Sequence, residues 1–312
     1  MVSLEKLSAG NIDKFRNLNV ENLKMNTYDK NFFEYYDNEK FLLKFLYKKF
    51  VKLFLYNREV IGYIWYEIPL ERTIHIWSIY VKPPFIDIIN ENTLNNFNNN
   101  TLIYESKDTD ENNKLLTKLG FKKSQHSTLM SLNLSEYNKS LIISKLQYNL
   151  ENNIEILYIF KKLYKYKSNK IVISVEEMKI NCEEYLRCSI QNEIFYDKNR
   201  IPLDIEDIEN DINQDYYRNK LSLFIKINGV AIGYGQIIFN NHKYTVVNFG
   251  IIKEFRGFGF GKILLNSLIT KFFANYSEDL FIRVEDNNLN AIKLYSWIGF
   301  KPRFVVSRWE RI

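Results

Sequence analysis

Seven residues late in the chain, Arg256-Gly257-Phe258-Gly259-Phe260-Gly261-Lys262, alternate glycine with aromatic residues between two cations. An apolar strand, Thr245 to Ile252, precedes them. An apolar helix is expected to follow from about Lys262, through Leu264, Leu265, Leu268, Ile269 and Phe272. A glycine-rich turn between a strand end and a helix start lets successive backbone N–H groups point into one concavity. The helix N-terminus adds partial positive charge. The chemistry on offer is anion binding, suited to a pyrophosphate. Gly259 and Gly261 allow phosphates close to the backbone, and Arg256 and Lys262 can place positive charge at the rim. Two common phosphate loops are not matched. The glycines lack the final spacing of G-x-G-x-x-G, and the four-residue run before Gly-Lys-Ser/Thr is absent. Taken alone, such a turn also fits a plain strand-to-helix connection.

A second constellation lies downstream. The segment Val284-Glu285-Asp286-Asn287-Asn288-Leu289-Asn290-Ala291-Ile292-Lys293-Leu294-Tyr295 ends a strand and opens a helix, and Gly299-Phe300 closes that helix. Arg-x-x-Gly-x-Gly after a strand, followed by Asn288, Ala291, Leu294, Tyr295, Gly299 and Phe300 at these places, resembles the GNAT superfamily of N-acetyltransferases. The resemblance implies acetyl-coenzyme A as co-substrate and no metal. It implies that main-chain groups of Gly250, Ile251 and Ile252 pair with the pantetheine arm as though it extended a sheet edge. Backbone N–H groups from Gly257 through Phe258, Gly259, Phe260 and Gly261 to Lys262 would hold the pyrophosphate, and Asn288 would face the pantetheine or nearby backbone. Tyr295 would protonate the leaving thiolate, since a phenol pKa of ~10 lies above the ~8.5 of a thiol. Glu285 is the candidate base, directly or through water. Many family members carry a carboxylate on the strand before the turn. Asn248 stands there in this chain, so that motif assigns no base.

The elements that position these residues occur twice. Leu115-Leu116-Thr117-Lys118-Leu119-Gly120-Phe121-Lys122 mirrors Leu294-Tyr295-Ser296-Trp297-Ile298-Gly299-Phe300-Lys301. Each is an apolar helix end stopped by glycine, a C-cap signal. Upstream, Glu59-Val60-Ile61-Gly62-Tyr63-Ile64-Trp65 matches Gly229-Val230-Ala231-Ile232-Gly233-Tyr234-Gly235, and Ile79-Tyr80-Val81 matches Phe249-Gly250-Ile251. Blocks repeated in the same order indicate a tandem duplication. The expected fold is α/β (α+β). It comprises two tandem GNAT-like units, each a mixed, mainly antiparallel twisted sheet flanked by helices. The expected division is 1–135, a helical connector over 136–169, and a catalytic unit over 170–312.

The first unit has lost the chemistry. With Phe85 set against Phe255, Ile86 faces Arg256, Asp87 faces Gly257, Ile89 faces Gly259 and Glu91 faces Gly261. From Phe85 to the strand at Thr101 is 16 positions, against 25 from Phe255 to Leu280. Leu116 and Thr109 stand where Tyr295 and Asn288 do. This unit is expected to keep the fold and bind no coenzyme A. The stretch Asn90 to Asn100 reads as a loop.

Composition narrows the classes. Of 312 residues, 46% are apolar and 26% charged, enough to fill a core. A net charge of +6 without a basic stripe is weak for a nucleic-acid binder, and Lys161 to Lys167 reads as a basic helix end. Two cysteines and three histidines fit neither a structural zinc site nor a disulfide framework. Charge at Glu5 and Lys6 interrupts any signal peptide, and no run reaches the ~20 apolar residues of a membrane span. A cytoplasmic protein, monomer or homodimer, with neither membrane nor nucleic-acid partner, is expected. The activity expected is acetyl transfer to a primary amine of a small molecule or peptide. Asp204, Glu206, Asp207, Glu209, Asp211 and Asp215, beside Ile205, Ile208 and Ile212, form either an acidic wall for that amine or a solvated helix face. Two other classes fit paired units: a non-catalytic acyl-coenzyme A sensor, and an aminoacyl-tRNA-dependent peptidyl transferase. The intact glycine turn weighs against the latter.

Overall fold

The computed structural model describes residues 2–26, 28–40, 43–137, 172–198, 200–240 and 242–312. From residue 138 on, the expected connector and the basic stretch Lys161–Lys167 lie outside the described residues. The chain divides into two units, Met1–Thr128 with Phe304–Ile312, and Leu129–Arg303. The division falls within β6 (Lys122–Leu132) and again within β12 (Lys301–Arg311).

In the first unit, β1 (Ser3–Lys6), β2 (Val51–Tyr56), β3 (Glu59–Leu70), β4 (Thr73–Val81) and β5 (Thr101–Lys107) lie side by side in that order. Among its described residues only β4 and β5 run parallel, over Thr73–Ile76 and Thr101–Tyr104. The end of β12 pairs antiparallel with β5, from Val306↔Lys107 to Arg311↔Leu102. Helices α1 (Ile12–Met25), α2 (Phe32–Tyr36), α3 (Lys44–Lys49) and α4 (Asp110–Lys118) belong to the same unit. Phe15, Leu18, Phe32, Leu53, Tyr63 and Trp65 close one core cluster here. A carboxylate is buried in this unit. Asp29 accepts from Tyr104 Oη at 2.6 Å, Asn22 Nδ2 at 2.8 Å, Ser78 Oγ at 2.8 Å and Asn26 Nδ2 at 3.0 Å.

In the second unit the order is β11 (Leu280–Glu285), β10 (Lys243–Ile251), β9 (Val230–Asn240), β8 (Ser222–Ile227) and β7 (Ile173–Glu177). Again one pair is parallel, β10 with β11, and the others are antiparallel. Among the described residues the helices are α5 (Glu184–Ile194), α6 (Ile205–Ile212), α7 (Phe260–Phe273) and α8 (Leu289–Ile298). Helix α7 buries Phe260, Leu264, Leu265, Leu268, Ile269 and Phe272 completely. At about 2 kcal/mol for each large apolar side chain, that face anchors the helix whose first turn carries the glycines.

Hydrogen-bond register carries the duplication into three dimensions. Gly62 pairs with Val81, and Gly233 with Ile251. One residue on, Lys82 N–H donates to Ile61 O at 2.9 Å, and Ile252 N–H to Ile232 O at 3.0 Å. The hairpins opening β3 and β9 both turn on two residues of positive φ, Asn57-Arg58 and Asn228-Gly229, the geometry that matches strand twist. Gly120 and Gly299 end α4 and α8 at φ +83° and +121°. One expectation fails. Glu91–Phe97 is not loop but a 3-10 turn, because Asn90 accepts from Asn92 N–H while Thr93 Oγ1 accepts from Asn90 N–H.

Candidate functional site

Strand β10 is not the unbroken strand its sequence promised. Its pairing with β9 shifts between Val247 and Gly250, and Asn248 sits at φ +52°. Asn is among the few residues that adopt this left-handed conformation readily. Such a bulge bends its strand. Parallel pairing with β11 covers only Tyr244–Val246 and Leu280–Ile282, and beyond it no register links the two strands. Gly250 and Ile251 pair with Tyr234 and Gly233 on one side and, among the described residues, have no strand partner on the other. Ile252 differs from expectation. Its N–H goes to Ile232 O, its carbonyl accepts from Phe255 N–H at 3.0 Å, and its side chain is buried, so its main chain is already committed. A Cβ on Gly250 would overlap the Ile194 side chain, which explains the glycine at that point of contact with α5.

The turn follows directly. Gly257 and Gly259 both sit at φ +89°, and a Cβ on either would meet no heavy atom within 4 Å. Among the described residues, the N–H groups of Gly257, Phe258 and Gly259 donate to no backbone carbonyl. Gly259 is the residue before α7, and the first N–H groups of a helix have no intrahelical acceptor. Arg256 does more than charge the rim. Its Nε donates to Ile251 O and its Nη2 to Ile194 O, each at 2.8 Å. The guanidinium thus ties the strand end to the C-terminus of α5, where a cation also complements the helix dipole. Lys262 Nζ lies 4.4 Å from the Trp297 ring centroid. Phe260 is wholly buried and anchors the helix.

The second constellation closes the site. Asn288 caps α8, its Oδ1 accepting from Ala291 N–H at 3.1 Å. Its own N–H donates to Glu285 O at 2.9 Å. A Cβ on Gly261 would stand 3.4 Å from Leu294 Cδ2, an ordinary van der Waals contact between the first turn of α7 and α8. Tyr295 is 7% exposed, its ring between Phe249 and Phe300 at 6.2 and 6.1 Å. Burial pushes its phenol up to about 12. Glu285 is exposed at the end of β11.

Three cavities follow one another through the second unit. The first, of about 860 Å³, runs from Gly250-Ile251 past Arg256, Gly257, Phe258, Gly259, Gly261 and Lys262 to Asn288 and Tyr295. The second, of about 460 Å³, lies between the ends of β10 and β11 and includes Glu285; it shares Phe195, Phe249, Asn288 and Tyr295 with the first. The third, of about 360 Å³, shares Arg200 and Asn248 with the second and reaches Asp207 and Asp211. All the expected site residues except Ile252 and Phe260 line the first two. Ile194 and Phe195 were missed. They line the first cavity from the end of α5, and no local motif marks them. In sequence Asn248 stands as a lost carboxylate; in the structure it forms the bulge. Of the acidic segment, only Asp207 and Asp211 line the third cavity, and Ile208 is the isoleucine buried beneath.

Residues 187–300 match the acetyltransferase (GNAT) family model. This stretch is a GNAT domain. Its limits take in all three cavities' named residues and none of the first unit. The whole chain is similar in fold to the GCN5-related N-acetyltransferase from Sphaerobacter thermophilus, at 12% identity over 99% of this chain and 95% of that one, TM-score 0.65. It is also similar to a tandem GNAT protein from the clavulanic acid biosynthesis pathway, at 10% identity over 100% and 98% of the two chains, TM-score 0.59. A GNAT-family acetyltransferase from Colwellia psychrerythraea gives 13% identity over 99% of each chain, TM-score 0.53. At these identities the likeness is one of fold.

The first unit shows what the GNAT domain has and it lacks. In place of the glycine turn and α7 it has 3-10 turns at Pro83–Ile88 and Glu91–Phe97. Asp87, aligned with Gly257, is held by Lys114 Nζ at 2.9 Å and Lys118 Nζ at 3.1 Å. Tyr80 stands in register where Gly250 does. Among the described residues, no cluster of three or more His, Cys, Asp or Glu could hold a metal ion, and no helix is long and apolar enough to cross a membrane.

Proposed function

We propose that the GNAT domain transfers an acetyl group from acetyl-coenzyme A to a primary amine of a small molecule or peptide, and that the first unit binds no coenzyme. One observation carries this reading: an unpartnered strand edge, a turn with free N–H groups and a buried phenol line a single cavity. Each feature fits one part of coenzyme A. The N–H groups of Gly257 to Gly261 suit the pyrophosphate. The edge at Gly250 and Ile251 suits the amide-bearing pantetheine arm. The coenzyme supplies an activated thioester, and the protein's residues position it and move protons.

Tyr295, with its pKa of about 12, stays protonated across the working range and can donate to the sulfur as the carbon–sulfur bond breaks. The amine attacks the carbonyl carbon directly and must shed a proton. Glu285, in the cavity that also holds Tyr295, is the proposed acceptor of that proton, through water. Asp211 is unsuited to the task. Arg187, Tyr216 and Gln236 all donate to it, so its oxygens are already engaged by protein donors.

The test is thiol release from acetyl-coenzyme A with a panel of amino acids, amino sugars, polyamines and short peptides, with products weighed by mass spectrometry. Acetylated amine formed without added RNA is the expected result, and it excludes the tRNA-dependent class. Tight binding of acetyl-coenzyme A with no amine consumed would replace this reading with that of a sensor.

A further inference from the structure

The third cavity is built by α5 and α6 and has an excess of donors. Arg187 lines it and is 1% exposed. Its Nε donates to Gln191 Oε1 at 2.9 Å, and its Nη2 pairs with Asp211. Asp211 is saturated as well as neutralised. Tyr216 Oη donates to its Oδ1 at 2.7 Å and Gln236 Nε2 to its Oδ2 at 3.3 Å. The other acid, Asp207, is exposed at the rim and spends Oδ2 on Asp204 N–H at 3.0 Å. The donors are not used up. Arg187 Nη1 is buried with no protein acceptor among the described residues. Arg200, which lines this cavity and the next, gives its Nη1 only a 3.4 Å contact to Phe195 O. Leaving a buried guanidinium donor unmet is costly, and such a group calls for a ligand oxygen.

We infer that this cavity receives a carboxylate of the acceptor, so that the acceptor is an amine of amino-acid or short-peptide size that also carries a carboxylate. The inference rests on the acetyl transfer proposed above. Two further observations fit it. The guanidinium fork is held by Gln191 and Asp211 through Nε and Nη2, which leaves Nη1 for a carboxylate oxygen. The third cavity also shares Arg200 and Asn248 with the second, so one small molecule can keep its carboxylate by Arg187 and its amine beside Tyr295. At about 30 Å³ for a water-sized group, 360 Å³ holds roughly a dozen heavy atoms.

The experiment compares L-amino acids and dipeptides with their C-terminal amides, which keep size and polarity and lose the negative charge. Acetylation is measured as kcat/KM. Binding of the same pairs is measured by calorimetry on protein saturated with coenzyme A. The acid is expected to exceed its amide by about ten-fold or more in both, the size of a charge-assisted hydrogen bond. Arg187→Lys keeps a cation opposite Asp211 and loses the fork. It should bring the ratio close to unity, chiefly through KM for the acid, with a circular dichroism melt to verify folding. Amides bound and acetylated as well as acids would overturn the inference, and so would a preference for acids that survives in Arg187→Lys. If no amine is acetylated, the proposed reaction fails, while the binding ratio still decides the carboxylate site.

Discussion

Replacing Gly259 by glutamate separates the anion site from the fold that holds it. A Cβ at Gly259 meets nothing within 4 Å, so the new side chain has room. Its cost to stability is that of an L-residue at φ +89°, about 1–2 kcal/mol. Its cost to binding is larger. A carboxylate about 5 Å from a phosphate, at an effective dielectric of about 20, meets a repulsion of about 3 kcal/mol per phosphate charge. Coenzyme A affinity should therefore fall at least ~100-fold. Gly259→Ala is the control, carrying the same backbone strain without the charge, and should lose less than about ten-fold. Both are read by isothermal titration of coenzyme A at fixed ionic strength, beside a thermal melt. A folded Gly259→Glu protein binding within three-fold of the parent would refute the site. Equal losses in the two variants would refute the electrostatic reasoning.

Tyr295→Phe should lower kcat by about 100-fold, the scale of a lost general acid, with coenzyme A affinity within two-fold of the parent; an unchanged kcat leaves the ring a packing role only. Since burial holds that phenol near 12, no activity should be lost to its ionisation as pH rises from 7 to 10, as a kcat profile would show. In the first unit, burial pushes Asp29 from an ordinary 3.8 up to about 6. The folded protein thus holds that proton more tightly than the unfolded chain. Its stabilising share is complete below about pH 4 and is lost as pH rises through 6, about 3 kcal/mol in all. Urea unfolding from pH 4 to 7.5, with Asp29→Asn as the non-titrating reference, should show the parent losing ground by that amount. A difference flat with pH contradicts the burial argument.

What the sequence revealed was whatever depends on local rules. Gly120 and Gly299 announced two helix ends, because an L-residue is strained at their φ. The pairs Gly62–Val81 and Gly233–Ile251 followed from matching apolar blocks. The glycine turn could be read because φ +89° at Gly257 and Gly259 strains any L-residue. What stayed hidden depends on partners distant in sequence. Arg256 binds the carbonyl of Ile194, 62 positions away, and looked like a free cation. Phe195 lines the first cavity because α5 packs on β10. The resemblance implies a free main chain at Ile252, but Ile232 at the start of β9 claims its N–H. The bulge at Asn248 left only a faint trace, an Asn late in an apolar strand, and the missing carboxylate drew attention away from it. In the first unit, side-chain bonds from Asn90 and Thr93 turned an Asn-rich loop into a 3-10 turn.

We propose one working coenzyme site in a chain of two GNAT-like units. Equilibrium dialysis of the full chain against labelled acetyl-coenzyme A tests it most directly. One site per chain, abolished by Gly259→Glu and untouched by Asp87→Ala in the first unit, is the predicted result. Two sites, or one that survives Gly259→Glu, would contradict it.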